Sequence, residues 1–295
     1  TTVSAEDGSF TFESIPYGTW YVREIEQPAG FVLDDTVYPV SIGKDAQVVE
    51  IKIVNKYVRG NIHLTKVDSE YPDNKLTGAT FEVYKDSNAN GKLDDGDELL
   101  GTLTEKEKGE YSMNDLFYGR YFVKETKAPE GFVLDTGVYE VMIDTNGKTC
   151  EVENKAGVGF INDAMRGNLK IVKTSSDGKV KGFAFRITGA NGYDIILETN
   201  DKGEIFIDGL RIGDYTISEV SNSASSMYVI PADKKATVKL GSTTIVEMHN
   251  VLRDTPKTGD TTNLPLLYAL AGLSAVGIAV TAFVGFKKKK KEGND

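Results

Sequence analysis

A motif that occurs three times constrains the fold of this chain more than any other feature. Its copies read IPYGTWYVRE at 15–24, LFYGRYFVKE at 116–125 and LRIGDYTISE at 210–219. The first two copies are followed by QPAGF at 27–31 and APEGF at 128–132, which the third copy lacks. Repetition of this kind indicates small structural units arranged in series.

The tripeptide Arg-Gly-Asn, at 59–61 and 166–168, marks where two of the units begin. Each unit consists of short alternating apolar runs separated by Gly, Asp and Asn, a pattern typical of an antiparallel β-sandwich. We therefore predict an all-β fold with complete sandwiches at 58–165 and 166–252. Residues 1–57 are predicted to be the C-terminal half of a truncated unit. Residues 1–57, 58–165 and 166–252 are called the first, second and third unit below.

Composition argues against one class of function and one kind of crosslink. The formal net charge is −10, which argues against binding to nucleic acid. Cys150 is the one cysteine, so no intrachain disulfide can form. The chain begins without a signal peptide, and we expect further sequence before Thr1.

An uncharged apolar run from Leu264 to Phe286 is long enough to cross a bilayer as a helix. The five lysines at 287–291 would be held on the cytoplasmic side of that membrane. We therefore predict a linker at 253–263, a transmembrane helix at 264–286 and a positively charged cytoplasmic tail at 287–295. The units before the linker would then face outward.

The linker contains the pentapeptide Thr255-Pro256-Lys257-Thr258-Gly259. It resembles the sorting signal of Gram-positive surface proteins, with Thr255 where that family usually has Leu. The resemblance implies that sortase cleaves between Thr258 and Gly259 and joins the chain to the cell wall. The alternative is an ordinary tail anchor that is not cleaved.

Alternate side chains of a strand share a face, so the phase of each strand shows which residues point inward. By this criterion lysine, glutamate and asparagine residues lie among the apolar residues of the inward faces. The set consists of Lys66 and Lys173 on opening strands, Glu24, Glu125 and Glu219 at the ends of the repeated motif, and Asn55, Asn162 and Asn250 on closing strands. The spacing is regular: Asn55 to Lys66 and Asn162 to Lys173 are both eleven residues. The first unit has the glutamate and the asparagine but no partner lysine.

A buried Lys, Glu and Asn must satisfy one another or react, because each is costly to desolvate. Burial favours a neutral lysine amine and a protonated glutamate. The amine would attack the asparagine carboxamide carbon, the glutamate would polarise its carbonyl and move protons, and ammonia would leave. The alternative is a hydrogen-bonded polar cluster without a covalent bond.

The run ETKAPEGF at 125–132 resembles a signature of the collagen-binding-protein B-type, or prealbumin-like, domains of Gram-positive adhesins and pilins. That resemblance implies Lys–Asn isopeptide bonds in both complete units. Carried over residue by residue, they are Lys66–Asn162 promoted by Glu125 and Lys173–Asn250 promoted by Glu219. Glu24 and Asn55 stay without a lysine.

An insertion in the second unit carries the spacing of a calcium loop. Asp86, Asn88, Asn90, Lys92, Asp94 and Asp97 stand at positions 1, 3, 5, 7, 9 and 12 of an EF-hand-type loop. Gly91 would permit the sharp turn at position 6, and Lys92 would contribute its backbone carbonyl. The loop resembles those of calcium-binding staphylococcal B-repeats and predicts one structural calcium ion. The alternative is a hydrophilic β-turn.

These observations predict a cell-wall-anchored surface adhesin or pilus-associated subunit that acts as a stalk and is not an enzyme. It would begin as a membrane-anchored precursor. The expected partners are sortase, peptidoglycan or a pilus subunit, and a host or extracellular-matrix ligand bound by a missing upstream region. The alternative is the spacer and anchor of a surface enzyme whose catalytic domain lies before Thr1.

Overall fold

The computed structural model describes residues 1–254, which form β-strands and one short 3-10 helix at Ala190–Gly192. The predicted all-β class is confirmed for these residues. The predicted sorting signal, transmembrane helix and cytoplasmic tail, at 255–295, lie outside the described residues. Within residues 1–254 we find no helix that is long and apolar enough to span a membrane.

The first unit forms two small antiparallel pairs, in which β1 pairs with β3 and β2 with β4. Its strands are β1 (Gly18–Val22), β2 (Phe31–Val32), β3 (Tyr38–Ile42) and β4 (Lys56–Tyr57). The closing strand predicted to carry Asn55 is not formed, because residues 51–55 are not in a strand. Its inward face is only partly covered, and Trp20 is 42% exposed.

The second unit is a sandwich of two sheets, in the orders β11-β10-β6-β7 and β12-β5-β9-β8, with β13 also paired to β5. Its strands are β5 (Arg59–Asp68), β6 (Thr80–Lys85), β7 (Glu98–Thr102), β8 (Thr104–Glu107), β9 (Glu110–Phe117), β10 (Gly119–Lys127), β11 (Val138–Ile143), β12 (Thr149–Glu151) and β13 (Phe160–Asn162). Alternate residues of β5, including Ile62 and Leu64, are fully buried between the sheets with Phe81 and Phe160.

The third unit repeats this plan with sheets in the orders β17-β14-β21-β19 and β16-β15-β18-β20. Its strands are β14 (Arg166–Ser175), β15 (Ala184–Thr188), β16 (Asp194–Glu198), β17 (Glu204–Arg211), β18 (Gly213–Val220), β19 (Tyr228–Val229), β20 (Lys234–Val238) and β21 (Thr243–Leu252). Leu169, Ile171 and Met248 are buried in its core. The lysine strand β14 and the closing strand β21 are again neighbours.

Most strand pairs are antiparallel, as predicted, but the first and last strands of each complete unit pair in parallel. In the second unit Lys66 lies opposite Phe160, and in the third unit Lys173 lies opposite Met248. The asparagine comes two residues after that partner and so shares its face of the sheet. Strand phase alone identifies the face of a side chain and not the neighbour or direction of its strand.

The same backbone contacts join consecutive units. The Val58 amide donates to the Gly30 carbonyl at 2.8 Å, and the Val58 carbonyl accepts from the Tyr118 amide at 3.1 Å. The second junction repeats both bonds. The Met165 amide donates to the Gly131 carbonyl at 2.8 Å, and the Met165 carbonyl accepts from the Ile212 amide at 3.0 Å. Gly30 and Gly131 both have φ of 83°, a left-handed conformation that favours glycine.

Candidate functional site

The core of the second unit holds three polar side chains from three strands. Lys66 comes from β5, Glu125 from β10 in the opposite sheet, and Asn162 from β13. Lys66 and Glu125 are 0% exposed and Asn162 is 3% exposed. Alternation along each strand turns these side chains toward the interior, as strand phase predicts.

A hydrogen bond joins the glutamate and the asparagine. Asn162 Nδ2 donates to Glu125 Oε2 at 2.8 Å and to the Val133 carbonyl at 2.6 Å. The Asp135 amide also donates to Glu125 Oε2, at 2.8 Å. Glu125 Oε1 and Asn162 Oδ1 are buried without a hydrogen-bond partner. A 180° rotation of the Asn162 side-chain amide would exchange Nδ2 and Oδ1. Oδ1 would then face the carboxyl group of Glu125, which can donate to it when protonated.

The lysine amine lies beside the asparagine strand. Lys66 Nζ donates to the Phe160 carbonyl, two residues before Asn162, at 3.0 Å. Burial lowers the pKa of Lys66 to about 8, against the opposing attraction of Glu125, Asp135 and Asp68. Burial also raises the pKa of Glu125. Both shifts favour the forms needed for amide exchange, a neutral amine and a protonated acid.

Asp135 is a member of this site that strand phase did not identify. Its carboxylate accepts from the Tyr139 hydroxyl at 2.8 Å and from Asn154 Nδ2 at 2.7 Å. Although burial opposes it, the hydrogen bonds from Asn154, Gly137 and Tyr139 lower the pKa of Asp135. A signal was present in the sequence, because Leu-Asp-x-x-Val-Tyr occurs at both 33–38 and 134–139.

The third unit brings together the corresponding residues. Lys173, Glu219 and Asn250 are all buried. Asn250 Nδ2 donates to Glu219 Oε1 at 2.6 Å, while Glu219 Oε2 and Asn250 Oδ1 have no partner. Lys173 Nζ donates to the Thr174 carbonyl and lies 4.2 Å from the centroid of the Phe183 ring. Burial lowers the pKa of Lys173 and raises that of Glu219.

The first unit contains the glutamate and asparagine in a similar arrangement. Asn55 Nδ2 donates to both carboxylate oxygens of Glu24, at 2.8 and 2.9 Å, and to the Val32 carbonyl at 3.3 Å. The Asp34 amide donates to Glu24 Oε2 at 2.8 Å. Both side chains are half-buried, and no lysine within residues 1–254 hydrogen-bonds to them.

The predicted calcium loop connects β6 and β7 and is held largely by its own side chains, with Arg120 of β10 at 3.6 Å from the Asp86 carboxylate. Asp86 accepts from the amides of Asn90 and Gly91, at 3.1 and 3.0 Å. The Asp94 carboxylate accepts from the side chains of Asn88 and Asn90, at 3.0 and 2.6 Å. Further contacts include those of the Asp97 carboxylate with the amides of Ser87 and Asp94, and of the Lys92 amide with Asn90 Oδ1. Among the described residues, no group of three or more His, Cys, Asp or Glu side chains is arranged to hold a metal ion.

Similar proteins were found in bacteria and in a eukaryote. The Trypsin-resistant surface T6 protein of Streptococcus pyogenes is 28% identical over 204 residues, which are 59% of this chain and 35% of that protein. Colossin-A of Dictyostelium discoideum is 24% identical over 248 residues, which are 74% of this chain and 2% of Colossin-A. The chain thus spans about a third of one relative and a small fraction of the other.

The solved structure of the Bacillus anthracis TIE protein superposes with a TM-score of 0.63 at 25% identity, covering 84% of this chain and 44% of that one. The SpaA prealbumin-like fold domain matches three stretches of the chain, residues 1–57, 60–156 and 167–251. These stretches account for most of the sequence and include all three copies of the repeated motif. The chain therefore belongs to the SpaA prealbumin-like fold domain family, as the resemblance in its sequence predicted.

Proposed function

We propose that this chain is the stalk of a Gram-positive surface protein, stiffened by isopeptide bonds from Lys66 to Asn162 and from Lys173 to Asn250. The observation that carries the proposal is the buried Lys, Glu and Asn set that occurs in both complete units. In each set the lysine strand and the asparagine strand are direct neighbours. A polar cluster of this kind is costly to bury, and forming a neutral amide between two of its members lowers that cost.

The reaction requires no group from outside the site. The neutral Lys66 amine adds to Cγ of Asn162, and Glu125 donates a proton toward the carbonyl oxygen and accepts one from the attacking nitrogen. The Cγ–Nδ2 bond then breaks, and Nδ2 leaves as ammonia with the protons that Glu125 has moved. One amide bond replaces another, so nothing is oxidised or reduced. Pairing of the two strands supplies the effective concentration that an unactivated amide needs.

The position of the bond determines the path of a pulling force. Force would enter the second unit near Arg59 and leave near Met165. A bond from Lys66 to Asn162 would connect the first strand directly to the last, so the residues between them would carry little load. The two sheets would then keep their hydrogen bonds under tension. The bond forms once in each unit, which makes the protein a self-modifying structural element and not an enzyme.

The surrounding sequence supports a location at the cell surface. The Streptococcus relative is named as a surface protein. The pentapeptide at 255–259 and the apolar run at 264–286 have the order expected of a sortase substrate that is first held in the membrane and then joined to peptidoglycan or to a pilus subunit. We propose a host or extracellular-matrix ligand for the upstream region. A catalytic domain in that region would instead make this stalk the spacer of a surface enzyme.

The intact mass of the full chain, purified in mild detergent, tests the bonds. Each bond expels one ammonia, so the wild-type chain is expected to be lighter than its sequence by about 34 Da. Lys66→Ala and Lys173→Ala should each retain a deficit of about 17 Da. Lys127→Ala, which removes an exposed lysine, is the matched control and should keep the full deficit. A wild-type mass equal to that of the sequence would contradict the proposal.

We also propose that the 86–97 loop binds one calcium ion. The carboxylates of Asp86, Asp94 and Asp97 all lie within a single twelve-residue turn between two strands, at offsets that suit a hard cation. Extracellular sites of this kind bind calcium with dissociation constants of about 10⁻⁴ to 10⁻³ M. The ion would rigidify the loop.

Calorimetric titration of the calcium-free full chain with calcium tests this site. Asp97→Ala removes the twelfth ligand and should weaken binding by at least about tenfold. Asp95→Ala, at the tenth position, should leave the affinity unchanged. Equal affinities for the two variants, or no binding by the wild-type chain, would contradict a calcium site.

A further inference from the structure

An ion pair crosses from the third unit into the second unit beside the reactive lysine. Arg211, the last residue of β17, donates from Nη1 to Asp68 Oδ2 at 2.6 Å and from Nη2 to Asp68 Oδ1 at 2.7 Å. The same guanidinium donates to Glu70 Oε2 from Nε and Nη2, at 3.0 and 2.7 Å, and lies 4.8 Å from the centroid of the Tyr71 ring. Asp68 is 0% exposed. Arg211 therefore neutralises a fully buried carboxylate of another unit.

Asp68 occupies a sensitive position in the crosslinking site. It follows Lys66 by two residues on β5, so the two side chains share a face and start about 7 Å apart. In the parallel pairing with β13, Asp68 lies opposite Asn162. Asp68 is thus a backbone neighbour of Asn162, and its charge acts on the Lys66 amine. An unpaired carboxylate there would attract Lys66 as an ammonium ion, which cannot attack an amide.

Three carboxylates act on the Lys66 amine, and they differ in how they are held. Glu125 is bound by Asn162 and by the Asp135 amide. Asp135 is bound by groups of its own unit, including the Tyr139 hydroxyl and Asn154. Asp68 also accepts from amides of its own turn, at Glu70 and Tyr71, but its cationic partner comes from the third unit. All three carboxylates stabilise the ammonium form of Lys66 and so oppose the lowering of its pKa by burial.

The other units lack this arrangement. In the third unit the residue two positions after Lys173 is Ser175, which is neutral. At the junction of the first and second units, Phe117 stands where the repeated motif has Arg211, and it packs under Arg59 with 3.5 Å from Cζ to the ring centroid. The carboxylate beside the lysine and the arginine that neutralises it therefore occur together, at one junction of the described chain.

We propose that Arg211 is a positioning residue for crosslinking of the second unit: by holding Asp68 across the junction, it leaves the Lys66 amine free to attack Asn162. This inference rests on the proposed isopeptide chemistry. Its consequence is an order of events, because the second unit crosslinks at its full rate only after the third unit has folded and docked against it. The third unit needs no such help.

Refolding of the full chain tests this role. The chain is recovered from inclusion bodies in urea, unfolded and with neither bond formed, then diluted into buffer with mild detergent at pH values from 6 to 9, and quenched in acid at intervals. Peptide mapping by mass then reports each bond separately. Arg211→Ala should slow the Lys66–Asn162 bond by about tenfold near pH 7 and move its pH profile upward by about one unit. Bond formation between Lys173 and Asn250 should keep its wild-type rate, which shows that the third unit still folds.

A second substitution separates this role from general support of the fold. Asp68→Asn removes the charge that Arg211 neutralises, so it should restore the Lys66–Asn162 rate in the Arg211→Ala background. The proposal would be overturned if Arg211→Ala left the Lys66–Asn162 rate unchanged. It would also be overturned if Arg211→Ala slowed this rate at every pH and adding Asp68→Asn did not restore it. If Arg211→Ala also prevents the Lys173–Asn250 bond, the single variant Asp68→Asn is the test. Its Lys66–Asn162 bond should form at least as fast as in the wild-type chain, and slower formation would overturn the proposal. Absence of both bonds from the wild-type chain would instead contradict the isopeptide chemistry itself.

Discussion

The first and second units contain the same glutamate–asparagine pair in different surroundings. In both units the asparagine amide donates to the glutamate at 2.8 Å, and an aspartate amide ten residues further on donates to that glutamate at 2.8 Å. Glu125 is fully buried, whereas Glu24 is half-buried. The second unit also has a lysine strand beside its asparagine, and the described part of the first unit does not.

This difference distinguishes what the local sequence contributes to the site from what long-range strand pairing contributes. Short-range sequence, from the repeated motif through the Leu-Asp-x-x-Val-Tyr segment, is sufficient to bring the aspartate amide to the glutamate in both units. The desolvation that favours a neutral amine and a protonated acid comes from burial between two complete sheets, one of which contains β5, about a hundred residues before β13. Reactivity therefore depends on long-range strand pairing more than on the local motif.

Removal of Asn162 should have the largest effect on stability. A crosslink that closes a loop of about 100 residues is worth about 4.7 kcal/mol in the chain-entropy model. Asn162→Ala should therefore destabilise the second unit by about 5 kcal/mol, measured by hydrogen exchange of the β5 amides. Asp163→Ala, at the exposed neighbouring position, is the control and should change little. A loss of less than about 1 kcal/mol in Asn162→Ala would mean that no crosslink stabilises this unit.

The pH at which the chain refolds should change the rate of crosslinking in the second unit. Since the pKa of Lys66 is lowered to about 8, the amine is mostly protonated below that pH and mostly neutral above it. While Glu125 keeps its proton, the rate should rise about tenfold from pH 6 to pH 7, and deprotonation of Glu125 should lower it again at higher pH. Mass measurement after acid quenching gives this rate, starting from unreacted chain recovered in urea from inclusion bodies. A constant rate between pH 6 and pH 8 would show that deprotonation of the amine does not limit the reaction.

Removal of Asn55 should have the smallest effect. Its hydrogen bonds to Glu24 are half-exposed, so Asn55→Ala should cost about 1 kcal/mol or less. Trp20 is the one tryptophan of the chain and lies in the first unit, so its fluorescence during urea unfolding reports this unit separately. A loss of several kcal/mol would mean that Asn55 is as constrained as Asn162, and the contrast between the two units would fail.

Periodicity in the sequence was sufficient to identify the members of the site that lie on strands. Lys66 and Glu125 each continue an alternating run of core residues, so their burial follows from the period of a strand. Asp135 lies outside the strands, in the segment between β10 and β11, where alternation carries no information. It could have been found through the repeat that it shares with Asp34.

Two other features depend on contacts that periodicity does not encode. The parallel pairing of β5 with β13 depends on how the sheets close, and an alternating pattern is the same for either direction of the neighbouring strand. The pair formed by Arg211 and Asp68 joins residues 143 positions apart in different units. In the sequence each of them looks like an ordinary surface charge.

The placement of the lysine and asparagine strands at the two ends of each complete unit has a consequence for damage by proteases. With Lys66 joined to Asn162, a cut anywhere between them, including the exposed 86–97 loop, would leave both fragments covalently attached to each other. The chain would be nicked, yet whatever precedes the second unit would stay tethered to whatever follows it. A surface protein built in this way would tolerate many backbone breaks that would release an ordinary β-sandwich chain into the medium.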